Sequence, residues 1–381
     1  MLSNTLTNRP ENRYTDLASR RLGGQALACS DDFFAEMENL LKPGRGVFID
    51  DKYTDRGKWM DGWESRRRRF LPDGSTDDGF EHDWCIIKLG AQGTIKAIDA
   101  DTNHFLGNAP QHVSLEAACI HGEPCDQTEW LEIIPKTPID PGCSNLIEVK
   151  QEHASKTATV QAWTHVRFNI FPDGGVARLR VYGDVVANTA HFLAHEPIDL
   201  AYIKNGARPL VCSDMFFSHM QNLIMPERGS NMGDGWETKR RRSVGNPELD
   251  RDNDWLILQL SHRGSIQKVL VDTCHFKGNY PNGFALEGTV LSPEQAANKE
   301  LLESDAHQDA LSTSHDQPSR IKWVEIMPRT PLYPDREHLY TNEVQNSEHT
   351  FTHVRLKMFP DGGISRLRLW GFPETALKAS V

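Results

Sequence analysis

The segment DTNHFLGNAP (Asp101–Pro110) returns as DTCHFKGNYP (Asp272–Pro281), one matched position in a duplication that runs along nearly the whole 381-residue chain. In order, the first copy carries DLASRRLGG (Asp16–Gly24), LACSDDFFAEMENL (Leu27–Leu40), MDGWESRRRR (Met60–Arg69), DWCIIKLG (Asp83–Gly90), the opening motif, WLEIIPKTP (Trp130–Pro138) and THVRFNIFPDGGVARLRVYG (Thr164–Gly183). The second answers with DLAYIKNGA (Asp199–Ala207), LVCSDMFFSHMQNL (Leu210–Leu223), GDGWETKRRR (Gly233–Arg242), DWLILQL (Asp254–Leu260), its own motif, WVEIMPRTP (Trp323–Pro331) and THVRLKMFPDGGISRLRLWG (Thr352–Gly371). A unit of this length is too large for a solenoid repeat and long enough to bury a core, so each copy is expected to be a complete domain. The boundaries follow as a polar tail over 1–15, a first domain over 16–183, a linker over 184–198, a second domain over 199–371 and a tail over 372–381. Offsets between partners drift, which places insertions in loops. The largest insertion lies between Glu287 and Trp323; its polar, charged composition reads as a surface excursion with a short helix.

Periodicity points to strands. Val166, Phe168 and Ile170 alternate with His165, Arg167 and Asn169, and beyond Pro-Asp-Gly-Gly the residues Ala177, Leu179 and Val181 alternate with Arg178 and Arg180, the pattern of a hairpin. DWCIIKLG, GTIKAIDAD and WLEIIP add short strands rich in Ile, Val and Trp. Helical spacing is confined to DDFFAEMENLL and DMFFSHMQNLI, each preceded by Ser and Asp at N-cap positions. Many short strands separated by turn residues, without a helix after each, predict an all-β chain: two homologous jelly-roll β-sandwich domains in tandem.

Composition excludes several function classes. A formal net charge of −11 opposes general nucleic-acid binding, despite the local run Arg66–Arg69. No stretch approaches the roughly 18 apolar residues of a membrane span, and the polar N-terminus lacks the apolar core of a secretory signal, so a cytoplasmic location is expected. Seven cysteines without a CxxC pair read as reduced thiols. Cys119, Cys125 and Cys143 leave a disulfide or metal role open, and Cys29 and Cys212 read as small buried apolar residues. There is no P-loop, dinucleotide fingerprint, GxSxG elbow, HExxH helix or deaminase zinc motif.

Polar residues held in both copies are the candidates for chemistry. Asp101/Asp272, Thr102/Thr273, His104/His275 and Asn108/Asn279, followed by Glu116/Glu287, could supply a general acid and base or ligands for an ion. The same residues also suit a structural turn, with Asp and Thr capping and Gly107 and Asn108 bending the chain. Glu64/Glu237 stands beside Arg67/Arg240, Arg68/Arg241 and Arg69/Arg242, and guanidinium forks suit a small carboxylate ligand. In a strand only alternate side chains share a face, so Arg68 is expected to point away from Arg67 and Arg69, and a solvated charged strand is the competing reading. Trp63/Trp236 reads as core or pocket wall. His165, Arg167, Arg178 and Arg180, repeated as His353, Arg355, Arg366 and Arg368, form a basic strand face, read as structural and paired to Glu132 and Glu325.

Taken together, DLAS…LGG, SDDFFAEMENLL, WMDGWESRRRR, DWCIIKLG, DADTNHFLGN and FPDGGVARLRVYG, present twice and in order, closely resemble the allantoicase family. That resemblance implies a galactose-binding-like topology for the two jelly rolls. It also implies a hydrolase acting on a linear amidine-type C–N bond, converting allantoate to (S)-ureidoglycolate and urea in purine breakdown for nitrogen use. On that reading His104, His275, Glu116, Glu287, Asp101 and Asp272 are the residues to test for acid–base work, and Glu64, Arg67, Arg68, Glu237, Arg240, Arg241, Thr102, Thr273, Asn108 and Asn279 for substrate binding. The sequence requires no cofactor, while Asp101, His104 and Glu116 leave room for a single divalent ion. The expected partner is the small molecule allantoate, with no nucleic acid or membrane, and homo-oligomerisation is left open. A tandem β-sandwich that binds a small ligand or carbohydrate without catalysis is the alternative.

Overall fold

The computed structural model describes residues 10–68, 81–150, 162–189, 192, 196–240, 253–311 and 321–374. The chain divides into two compact units, Met1–Val186 and Ala187–Val381. The first contains β1 (Thr15–Asp16), β2 (Gln25–Cys29), β3 (Tyr53–Thr54), β4 (Gly57–Lys58), β5 (Trp63–Glu64), β6 (Asp83–Asp101), β7 (His112–Ala118), β8 (Leu131–Pro138), β9 (Leu146–Glu148), β10 (Trp163–Phe171), β11 (Gly175–Val176) and β12 (Arg178–Val185). The second contains β13 (Ile198–Asp199), β14 (Arg208–Cys212), β15 (Trp236–Glu237), β16 (Asp254–Asp272), β17 (Gly283–Thr289), β18 (Val324–Pro331), β19 (Glu337–Tyr340), β20 (Phe351–Phe359), β21 (Gly363–Ile364) and β22 (Arg366–Pro373), with helices α1 (Pro293–Ala297) and α2 (Lys299–Leu311).

One long strand organises each domain. Residues 83–88 of β6 lie between β10 and β2, whereas residues 93–101 lie between β12 and β9, all antiparallel. The strand therefore exchanges both of its neighbours at its middle. β16 does the same between β20 and β14 and then between β22 and β19. Alternation on these strands fills the interior: Trp63, Ile87, Ile98, Leu115, Phe168 and Leu179 form part of the first core. Trp236, Leu256, Leu286, Leu356 and Leu369 are fully buried in the second. The all-β tandem architecture expected from the repeat is the one observed. Trp63 and Trp236 prove to be core residues, each fully buried and anchored by an indole N–H that donates to Asp31 O or Asp214 O.

Close packing against β16 leaves no room for a side chain on β22. A Cβ at Gly371 would lie 1.7 Å from the carbonyl oxygen of Ser265 on β16, with the Ser265 carbonyl carbon and Ile266 Cα next nearest, all of them backbone atoms. Gly371→Ala is expected to destabilise by at least about 1–3 kcal/mol, the usual cost of overpacking, read as a lower urea midpoint with an unchanged slope.

Three local expectations are corrected. The strands flanking each Pro-Asp-Gly-Gly do not form a hairpin: β10 and β12 lie on opposite sides of β6, and β20 and β22 on opposite sides of β16, while the short strands β11 and β21 just after each turn pair with β5 and β15. The segments around Phe33–Phe34 and Phe216–Phe217 are not amphipathic α-helices. Ala35 and Ser218 form β-bridges to Glu64 and Glu237, and only the five-residue 3₁₀ turns Met37–Leu41 and Met220–Ile224 follow. The Asp that looked like a helix cap is used tertiarily: Asp31 Oδ1 accepts from the Phe33 and Arg66 amides. The insertion after Glu287 forms two helices, and α2 does more than skirt the surface. Leu302 and Ala306 pack with Leu210, Trp255 and Ile257, and the buried Asp305 accepts from Trp323 Nε1 at 2.9 Å.

Candidate functional site

The opening motif begins where β6 ends. Asp101 is buried, and its carboxylate is gripped from both sides by Arg45, Nε at 3.2 Å and Nη2 at 3.3 Å, while it also accepts the Asn103 amide at 3.0 Å. Thr102 is fully buried and donates its hydroxyl proton to Asp140 O, tying the motif to the loop before β9. His104 then adopts a left-handed backbone (φ 71°), uncommon for a residue with a Cβ. Its exposed ring stacks on Phe48 with centroids 5.5 Å apart. Asn103 Nδ2 donates to Gly46 O, so the loops 43–48 and 102–108 are clasped together by three contacts.

The same motif reaches β5 through its last residues. Asn108 Nδ2 donates to Glu64 Oε1 at 2.7 Å, and Asn108 O accepts from Gly175 N at 2.8 Å. Arg67 donates to Gly107 O at 2.8 Å and to Asp173 at 3.0 Å while its side chain remains mostly exposed. Burial pushes the Glu64 carboxyl above its ordinary value, against the opposing pull of the Asn108 hydrogen bond and the Arg67 charge. Two sequence constellations separated by some forty residues are thus one cluster of a carboxylate, an amide and a mostly exposed guanidinium.

The second domain repeats the plan with different details. Arg228 grips Asp272 at 2.8 and 3.2 Å, Asn279 Nδ2 donates to Glu237 Oε1, and Arg240 donates to Gly278 O and Asp361. Thr273, fully buried, donates to Tyr333 O. His275 shares the φ of 71°, but its Nε2 is hydrogen-bonded to Gly229 O at 2.8 Å instead of lying against an aromatic ring. Arg241 lies outside the described residues, as do Arg69 and Arg242.

Other candidates sit apart from this cluster. Arg68 lies beyond the end of β5 and forms a buried ion pair with Asp83, whereas Arg67 pairs with Asp173. Glu116, in the middle of β7, accepts from Arg167 at 2.6 and 2.9 Å and from Asn169 at 3.0 Å, and Glu287 accepts from Arg355 and Lys357. Cross-strand register sets these pairs: Glu116 is directly opposite Arg167, and Glu287 opposite Arg355. The basic strand face is structural, but its carboxylates are Glu116 and Glu287 in place of Glu132 and Glu325. Arg178 pairs with Asp61, and Arg180 and Arg368 with Asp16 and Asp199. Asp101, His104 and Glu116 are accordingly engaged by three separate partners, Arg45, Phe48 and Arg167, and do not assemble as one ion site. All seven cysteines are free thiols; Cys29 and Cys212 are only half-buried, each with its thiol pushed up to about 12 chiefly by burial.

The family model named Allantoicase repeat matches residues 15–186 and again 198–374. The chain belongs to the allantoicase family. A probable allantoicase of Acinetobacter baumannii (strain SDF) is 42% identical over 361 residues, covering 94% of each chain. One of Ralstonia nicotianae is 42% identical over 363 residues, covering 95% of this chain and 96% of its own. The crystal structure of allantoicase from Saccharomyces cerevisiae superposes with a TM-score of 0.71 at 35% identity, over 94% of this chain and 93% of that one. Allantoicase membership makes the protein a hydrolase.

Within this allantoicase fold, Arg45 and Arg228 are the site residues that sequence reasoning passed over. The signal was present, since Pro-Gly-Arg-Gly at 43–46 matches Pro-Glu-Arg-Gly at 226–229. The extra hairpin β3–β4 that follows Arg45 breaks the spacing to MDGWE and hides the match. Among the described residues no helix is long and apolar enough to cross a membrane.

Proposed function

We propose that the protein hydrolyses allantoate to (S)-ureidoglycolate and urea, a step in purine breakdown that recovers nitrogen, and that each domain carries its own site. The observation that carries the reading is the cluster Glu64, Arg67 and Asn108, recurring as Glu237, Arg240 and Asn279, in a chain of the allantoicase family. Allantoate is a small carboxylate whose central carbon bears two ureido groups. Arg45, anchored by Asp101, and Arg67, anchored by Asp173 and Gly107 O, are both mostly exposed and offer planar guanidinium groups for the carboxylate. Asn108 offers an amide for a ureido group.

Hydrolysis breaks the central C–N bond and forms a C–O bond with water. Glu64 takes the water proton, its basicity raised by burial, and His104 delivers a proton to the departing urea nitrogen. Glu237 takes the water proton in the second domain, where His275 Nε2 is already hydrogen-bonded to Gly229 O. Asp101 and Asp272 position Arg45 and Arg228, Thr102 and Thr273 hold the motif, and Glu116 and Glu287 serve the sheet.

The deciding experiment is urea release from allantoate by the purified chain, with and without a chelator. Urea above background is the expected outcome. Saturable binding of allantoate with no urea released would instead support the non-catalytic ligand-binding reading.

A further inference from the structure

The second copy of the opening motif reads Asp-Thr-Cys-His where the first reads Asp-Thr-Asn-His, and the substitution has a partner in space. Cys274, His275 and Asp335 each offer a ligand atom, and the three atoms lie within 4.8 Å of one another. Adjacent residues of an extended strand point to opposite sides. Here the left-handed backbone of His275 (φ 71°) turns the chain, and Asp335 is itself left-handed (φ 53°). The two loops are tied by the His275 amide, which donates to Asp335 Oδ1 at 2.7 Å.

The histidine is also held in a ligand state. Its Nε2 faces the carbonyl oxygen of Gly229 at 2.8 Å, and a carbonyl can only accept, so Nε2 is the donor and Nδ1 is the nitrogen left for an ion. A backbone carbonyl on the far ring nitrogen is the ordinary support of a metal-bound imidazole. The nearby Arg228 is compensated by Asp272, and Lys277, 3.8 Å from Asp335 Oδ2, is on a mostly exposed side chain that can swing away.

We propose that Cys274, His275 and Asp335 bind a divalent ion of the zinc class in the second domain. One thiolate, one imidazole and one carboxylate disfavour magnesium and calcium, which demand oxygen ligands, and three protein donors leave a fourth tetrahedral position for water. Binding releases the thiol proton of Cys274 to solvent; the resulting thiolate and the Asp335 carboxylate balance the ion's two charges. Among the described residues the first domain has no such site. At the matched positions it carries Asn103, His104 and Gly142, so the histidine and its backbone are kept while both anionic donors are missing.

Cobalt(II) titration of the chelator-treated full-length protein tests this, because a thiolate ligand produces a ligand-to-metal charge-transfer band that zinc abolishes on displacement. One equivalent per chain with that band is expected. Cys274→Asn and Asp335→Gly install the residues of the first domain; the former removes the band, and the latter weakens cobalt binding at least about tenfold, both with an unchanged unfolding transition. Asp335 is exposed, so its variant reports on binding even if Cys274→Asn fails to fold. No thiolate band in the wild type, a band that survives in folded Cys274→Asn, or undiminished affinity in Asp335→Gly overturns the assignment. The readout is spectroscopic and independent of urea release, so this proposal and the hydrolase reading can fail separately.

Discussion

Replacing both Glu64 and Glu237 by Gln lowers kcat for urea release by about 10²–10⁴-fold, the range of a lost general base. Gln keeps the shape and can still meet Asn108 or Asn279 through its carbonyl oxygen, so the unfolding transition should not move. With independent sites, each single variant retains roughly half of the wild-type rate. The pH profile supplies the second readout. As a base Glu64 must be ionised, and burial raises its carboxyl above the ordinary glutamate value of about 4.3, so activity falls on the acid side through a limb displaced upward from that value. Steady-state rates across pH check this. Full activity in the double variant would remove Glu64 and Glu237 from the chemistry.

Asp61→Ala unfolds the first domain at much lower temperature without touching the proposed reacting groups. Asp61 Oδ2 lies 2.7 Å from Arg178 Nη2, with the two side chains 6% and 3% exposed. Removing the carboxylate strands a buried guanidinium, which costs about 3–5 kcal/mol when no partner replaces it. At about 2–4 °C per kcal/mol for a domain of this size, Tm falls by roughly 6–20 °C, read by circular dichroism. Burial alone would raise the Asp61 carboxyl, but hydrogen bonds from Arg178 and the Val47 amide, with the charges of Arg178 and Lys42, hold it below the usual range. A depressed folded value means that this contribution is complete above the unfolded value, about 3.9, and is lost as pH falls through the folded one. The gap between wild type and Asp61→Ala should therefore close in acid.

The contrast between these two carboxylates shows which features were readable in the chain. Glu64 stood out because it recurs beside arginines in both copies. Asp61, two residues from the buried Trp63, carried no signal of its own, and Asp173 read as part of a hairpin; both prove to hold arginines. The helix expectation failed for a related reason. Ser-Asp followed by Phe-Phe satisfies the local signals of a helix start, but Ala35 and Ser218 find strand partners in Glu64 and Glu237, and tertiary pairing overrides weak propensity.

By itself the sequence determined the duplication, the all-β tandem architecture and the strands on either side of each Pro-Asp-Gly-Gly. All of these follow from order along the chain or from the two-residue period of a strand, which are local properties. Only the tertiary structure decided that Arg45 belongs to Asp101, that Glu64 belongs to Asn108, that Glu116 belongs to Arg167, and that Cys274 meets Asp335. Those partners are brought together by a long strand that exchanges its neighbours at its middle and by loops of unequal length in the two copies. A charge finds its partner through space, and neither spacing nor periodicity encodes that distance.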